Sequence, residues 1–178
     1  LILATRSESE LASVLAHEIA HITQRHIART IEASERFSLP AMAALIAAAI
    51  IAGASGNPQI GEAALATIMA GNVQMQINFT RTHEIEADNI GMQILAKTQF
   101  EPRDMPAFFE RLQSSNRFYQ SVPEFLRTHP VTTNRIAEAQ SRANQYPSKS
   151  LENKPLYHLM KAKLLVLVTE NKPKLLKK

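Results

Sequence analysis

The sequence predicts a mainly α fold built on one principal domain. Three observations carry that prediction. Apolar residues recur at i, i+3 and i+4 over most of the chain, the spacing of amphipathic helices. Only one short stretch, LILAT at residues 1–5, reads as a strand, and a strand without partners is not stable. The 178 residues are 45% hydrophobic and 20% charged, a composition that suits a single globular domain with a core of its own. No internal repeat at a solenoid period and no long low-complexity run interrupts it.

The chain opens on LILATRSESE. This segment lacks the basic start, the apolar run and the small-residue cleavage site of a signal peptide. It reads as the beginning of a fragment or a processed form, with the sheet partners of LILAT expected upstream. Ser7 and Glu10 then fit a capping box. Leu11, Val14, Leu15, Ile19 and Ile22 follow at helical spacing, and the pattern runs to about Ile31.

Next come two Ala/Met-rich segments, residues 39–55 and 60–79, separated by the break at Asn57-Pro58. They read as a helical hairpin. The first is too rich in Ala to make a good transmembrane span, so packing within the protein is expected, with contact to a membrane surface as the alternative. Thr80 to Thr98 reads as a further helix. Pro102 suits the first turn of another. SVPEFLRTHP, residues 121–130, reads as a loop, and Thr132 or Thr133 as the cap of a helix through NRIAEAQSRANQ. Pro147-Ser148 ends it. A last helix is expected from about Pro155 to Glu170, with apolar residues on several sides.

There is no cysteine, which excludes a disulfide framework and Cys-type zinc sites. The net charge of +4 is uneven. Residues 151–178 hold seven Lys against two Glu, while the other 150 residues hold 13 basic and 14 acidic groups. The basic tail could touch acidic lipid or nucleic acid, and it reads equally as the solvated face of a helix.

The chemistry is concentrated in AHEIAHITQRH, residues 16–26. His17 and His21 are four apart. That spacing places both imidazoles on one helix face, one turn apart, where their nitrogens can reach one ion. Glu18 is offset by about 100°, beside the ion, where it can take a proton from an attacking water and return one to a leaving amine. This is the H-E-x-x-H arrangement of zinc peptidases. His26 lies about 180° from His17 on an unbroken helix, so it cannot share the ion and takes a supporting or packing role. A metzincin would need Gly at 24 and His at 27; the chain has Gln24 and Ile27.

A third ligand must come from elsewhere. RTHEIEAD offers Glu84, Glu86 and Asp88. Glu84 and Asp88 share a face at i,i+4, and Glu86 points away from it. A natural division puts Glu84 on the metal and Asp88 on the far nitrogen of a ligand histidine, where a carboxylate fixes the tautomer. On the residues alone, a solvated helix face explains Glu84 and Asp88 as well.

HEIAH followed by RTHEIEADNIG, FEPRDMPAFFERL and LRTHPVTTNRI in that order resembles the HtpX/CAAX-protease-like zinc metallopeptidases, in their periplasmic BepA-like branch. The resemblance covers about residues 1–146. It implies a zincin-type helical metallopeptidase domain over 1–146, with a small and here truncated β-sheet. Residues 147–178 would be a linker and the first helix of a tetratricopeptide-like region, in which Pro155, Tyr157 and Ala162 resemble an opening helix. A half-repeat cannot bury its face, so this tail is expected to be mobile, swapped or docked on another chain.

The resemblance also implies one Zn2+ per chain, held by His17, His21 and Glu84. Glu18 would be the general base and Asp88 a support behind a ligand histidine. Arg81 matches the arginine of the family's R-x-x-E and would anchor its helix by an ion pair. Arg135 matches a loop arginine of the family. His129, which alone would read as a loop histidine before Pro, matches a family histidine near the metal. It would support the oxyanion or act as a removable fourth ligand. The edge strand that pairs with extended substrate in this family is represented only by LILAT.

The implied activity is zinc-dependent hydrolysis of peptide bonds in misfolded or misassembled envelope and outer-membrane proteins. Polypeptide substrates, outer-membrane assembly proteins and peripheral membrane contact are the implied partners, and nucleic acid is not among them. The alternative is a chaperone-like binding module whose zinc site is plugged or structural.

Overall fold

The computed structural model describes residues 2–118 and 124–169. It is mainly α, as expected: α1 (Glu8–Thr23), α2 (His26–Ser55), α3 (Pro58–Ala96), α4 (Asp104–Phe118), α5 (Glu124–Thr128), α6 (Thr133–Ala143) and α7 (Pro155–Val168). No strand occurs among the described residues. LILAT does not extend: Ile2–Ala4 form a single 3-10 turn, and Thr5 donates backbone N–H and side-chain Oγ1–H bonds to the Ile2 carbonyl. With no neighbouring strand to pair with, these backbone groups are satisfied locally.

The chain divides into two compact units, Leu1–Ala20 with Ala87–Lys178, and His21–Glu86. The core of the first holds Val14 from α1, Met92 and Leu95 from α3, Met105, Phe108, Phe109 and Leu112 from α4, Leu126, and Ile136, Ala139 and Ala143 from α6. Phe108, Met105, Met92 and Leu95 are fully buried, each worth about 1.5–3 kcal/mol of transfer free energy. This core fixes α4 and α6 against each other and orients the inner face of α1 that carries His17.

Polar ties close the ends of this unit. Ser7 Oγ accepts from the backbone N–H of Glu10 at 3.0 Å, as the capping box requires. The Glu10 carboxylate turns elsewhere, to the Arg6 N–H and to Arg111. Asn153 Oδ1 accepts from the N–H of Glu8 at 2.7 Å, so the segment before α7 covers the N-terminus of α1. The Lys149 ammonium donates to the carbonyls of Ala96 and Thr98, a cation at the C-terminus of α3. Tyr157 of α7 shares a 2.9 Å hydrogen bond with Thr5 Oγ1. This helix is therefore docked on the start of its own chain, although Leu156, Leu159 and Met160 stay exposed. The basic residues from 170 onward lie outside the described residues.

The second unit is the expected hairpin, longer than the sequence suggested. Gly56 takes the left-handed conformation, φ 64°, at the end of α2. Asn57 Oδ1 then caps the next helix through the Gln59 N–H, and Pro58 occupies its first turn. Gly61 lets the arms approach, since a Cβ there would stand 2.7 Å from that of Ala52. No break separates residues 60–79 from the helix that was expected to begin at Thr80; α3 runs through, because no Gly or Pro lies between Gly71 and Gly91. The arms are not packed away as expected. Only His26 and Ala48 of α2 are buried, and by length and composition the helix contains an 18-residue stretch, of mean hydropathy 2.1, apolar enough to cross a membrane.

Candidate metal centre

The helix carrying the first motif ends earlier than its periodicity suggested. Arg25 adopts φ 55° and ψ 38°, a left-handed turn between Thr23 and His26. Three residues then carry the chemistry of α1: His17, Glu18 and His21. His17 is fully buried, while the Glu18 side chain is 42% exposed and open to solvent.

His17 is fixed from behind. Its Nδ1–H donates to Asp88 Oδ1 at 2.9 Å, which leaves Nε2 for a metal. Asp88 is held in turn by Arg135, Nε to Oδ2 at 2.7 Å and Nη2 to Oδ1 at 2.8 Å. Arg135 also donates to the Pro130 carbonyl at 2.9 Å and lies over the Phe109 ring. Asp88 and Arg135 are both buried, so their charges are compensated by each other rather than by water. Gly91 sits where α3 crosses this point: a Cβ there would lie 3.1 Å from the Cα and N of His17.

His129 approaches the same imidazole. Its Nδ1 is 3.3 Å from His17 Nε2, and its Nε2 is 3.6 Å from a Glu18 carboxylate oxygen. Phe125 stacks on the His129 ring at 4.9 Å, and the His129 N–H bonds the Phe125 carbonyl at the end of α5. The Thr132 hydroxyl caps α6 through the N–H of Arg135. The loop before α6 thus aims His129 at one end and Arg135 at the other.

His21 has a second set of neighbours. Its Nε2 is 3.3 Å from Glu84 Oε1, and its Nδ1 is 2.8 Å from His26 Nδ1. The left-handed turn at Arg25 folds His26 back toward the helix it would otherwise have faced away from. His26 Nε2 is 3.2 Å from Glu86 Oε2, which also accepts from Arg29 at 2.7 Å. The Arg29 hydrogen bond leads the effects that hold Glu86 below the usual carboxylate range. His83 stacks parallel on His26 at 4.2 Å. Burial, with repulsion from His26 behind it, pushes His83 down to about 4.

Arg81 does not behave as expected. It is exposed and makes no ion pair among the described residues. The arginines that hold carboxylates here are Arg135 and Arg29, and the latter was not singled out in the sequence. Neither were Glu86 and His83 given a role. Their only sequence signal was proximity to Glu84, because the turn that brings His26 to them occurs at a residue that normally continues a helix.

His17, His21, Glu84 and His129 each offer one ligand atom, and these atoms lie within 4.8 Å of one another. Three imidazole nitrogens and a carboxylate oxygen form a donor set that suits Zn2+. The Asp88 bond to His17 is the support that zinc-binding histidines ordinarily have. The donor set and its orientation fit the ion.

The sequence matches peptidase family M48 over residues 1–143. The chain belongs to peptidase family M48. Among its relatives are the putative beta-barrel assembly-enhancing protease of Vibrio cholerae, 46% identical over 93% of this chain and 34% of the relative, and the beta-barrel assembly-enhancing protease of Escherichia coli, 42% identical over 89% and 32%. The mitochondrial metalloendopeptidase OMA1 of Saccharomyces cerevisiae is 31% identical over 73% of the chain and 35% of the relative. These identities place the chain in the branch of M48 that the motif order suggested. The chain spans about a third of the length of the curated relatives it matches. M48 peptidases are zinc-dependent, in agreement with the donor set described above.

Proposed function

We propose that this chain carries the catalytic centre of a zinc-dependent endopeptidase. His17, His21 and Glu84 hold the ion, with Glu18 as general base. The observation that supports this most directly is the convergence of ligand atoms from His17, His21, Glu84 and His129 within 4.8 Å, beside a carboxylate that remains open to solvent. A zinc ion bound there supplies Lewis acidity to the scissile carbonyl and lowers the pKa of water toward ~7.

The remaining work belongs to side chains. Glu18 takes the proton of the attacking water and delivers one to the leaving amine. Asp88 and Arg135 keep the His17 ring in the tautomer that presents Nε2. His129, 3.6 Å from Glu18, either donates to the oxyanion or occupies the fourth position until substrate displaces it.

The substrates we infer are polypeptides of the envelope, in particular misfolded or misassembled outer-membrane proteins, in the periplasm. The names of the Vibrio and Escherichia relatives, which are beta-barrel assembly-enhancing proteases, support the link to outer-membrane assembly. Residues 147–178 are read as a linker and the start of a tetratricopeptide-like region. The α2–α3 hairpin is read as a peripheral membrane contact. No charged residue lies between Arg36 and Glu62 or between Glu62 and Arg81, and Leu39, Met42, Ile46, Ile50, Leu65 and Met69 are all exposed.

The deciding experiment is Glu18→Gln in the full-length protein. The variant should keep its zinc and lose turnover of casein. Cleavage at the wild-type rate would refute the assignment.

A further inference from the structure

Each ligand histidine of α1 has a nitrogen turned away from the metal position. For His17 that nitrogen meets Asp88, backed by Arg135. For His21 it meets another histidine, and the chain of contacts continues. We propose that His26 is a positioning residue for His21, held in a single tautomer by Glu86 and Arg29. The proposal rests on the zinc reading of His17, His21 and Glu84.

The hydrogen-bond directions follow from the end groups. Arg29 can only donate and an ionised Glu86 can only accept. Arg29 Nη1 donates to Glu86 Oε2 at 2.7 Å. Glu86 Oε2 then takes the proton of His26 Nε2 across 3.2 Å. A neutral His26 protonated at Nε2 has an acceptor at Nδ1, and that atom lies 2.8 Å from His21 Nδ1. His21 must therefore carry its proton on Nδ1, which leaves Nε2, the atom 3.3 Å from Glu84 Oε1, as its metal-binding nitrogen. With both imidazoles neutral, every donor in the relay has one acceptor, and reversing any one bond would set a lone pair against a lone pair or a proton against a proton.

The surroundings keep His26 in place. It is buried, and His83 covers one face of its ring at 4.2 Å and 8° from parallel. Thr30 donates to the His26 carbonyl at 2.8 Å, within the first turn of α2. The left-handed Arg25 supplies the reversal without which His26 would face outward. Both ligand histidines thus end on a carboxylate neutralised by an arginine, reached directly for His17 and through His26 for His21.

The test compares His26→Phe, which keeps a planar ring for His83 but cannot accept a proton, with His26→Gln, whose amide can accept from His21 and donate to Glu86. In the full-length protein, zinc affinity by chelator competition should fall roughly 10–100-fold in His26→Phe and recover most of that loss in His26→Gln. The visible absorption of the cobalt-substituted protein should shift in His26→Phe and not in His26→Gln. Glu86→Leu, which cuts the chain one bond further from the metal, should shift it in the same direction. Melting of the metal-free forms reports folding separately. Wild-type affinity in His26→Phe, no rescue in His26→Gln, or an unmoved cobalt spectrum in Glu86→Leu would overturn the relay and leave the zinc reading standing. A wild-type protein that takes up no zinc would overturn both.

Discussion

Arg135 grips Asp88 through two hydrogen bonds of 2.7 and 2.8 Å, and the same carboxylate accepts from His17 at 2.9 Å. Both side chains of this ion pair are buried. Removing the arginine leaves a buried carboxylate uncompensated, so Arg135→Met should cost about 3–5 kcal/mol of stability, read from urea unfolding of the metal-free protein. Asp88→Asn keeps the shape but removes the charge, and should lower zinc affinity about 10–100-fold. Unchanged values in both variants would mean that His17 is oriented by packing alone.

Gly91 allows α3 to approach the backbone of His17 and Ala16 to contact distance. A methyl group there would press on the main chain of α1 at 3.1–3.2 Å, and main chain cannot rotate aside. Gly91→Ala should therefore destabilise the protein by about 1–3 kcal/mol and weaken zinc binding with it. A melting temperature equal to the wild type's would show that α1 and α3 separate freely.

Much of this centre was legible in the sequence, because helical spacing is geometry. His17 and His21 share a face wherever α1 is helical, and Glu84 and Asp88 do so on α3. The break at Arg25 was not legible, since a non-glycine residue in the left-handed region carries no compositional signal. That one turn decides the role of His26. Arg81 shows the converse: it occupies the motif position, yet it stays exposed and makes no ion pair among the described residues. Ile2–Ala4 have strand propensity, but no strand lies beside them among the described residues, and propensity without a partner yields a turn. The hairpin was read as packed because its Ala content lowered its apparent hydropathy, whereas burial depends on what lies opposite.

His129 presents a nitrogen to the ligand group and lies 3.6 Å from Glu18. Zinc sites with four protein ligands are closed, and catalytic ones keep a position open. His129→Ala should hold zinc less tightly while turning over substrate faster. Loss of turnover with zinc retained would assign His129 to the oxyanion instead.

The exposed arms of the hairpin should bind anionic liposomes. Arg36 and Arg81 flank the uncharged stretches, and basic residues at such an edge favour acidic headgroups above an apolar contact. Co-sedimentation should be lost in Ile46→Glu with Ile50→Glu, two exposed positions where folding is not at stake. Equal sedimentation of wild type and variant would remove the hairpin from the membrane contact.

Glu101 ties the start of the α4 segment to residues 148 and 149. Burial pushes its carboxyl up, but hydrogen bonds from the backbone N–H groups of Arg103 and Lys149 and from the Ser148 and Arg103 side chains outweigh this and hold it below the usual range. A lowered folded-state value stabilises above the unfolded value, and the contribution disappears as pH falls through the folded value. Asp104 has the opposite sign. Burial raises its carboxyl despite the Ser7 hydrogen bond, so protonating it on the way down from neutral pH favours the folded state. Stability should therefore hold or rise slightly on mild acidification and then fall once Glu101 protonates. Glu101→Gln should flatten that acid limb, and Asp104→Asn should remove the rise that precedes it. Urea midpoints measured from neutral pH to about pH 3 separate the two effects, and an acid limb as steep in Glu101→Gln as in the wild type would place the acid sensitivity elsewhere.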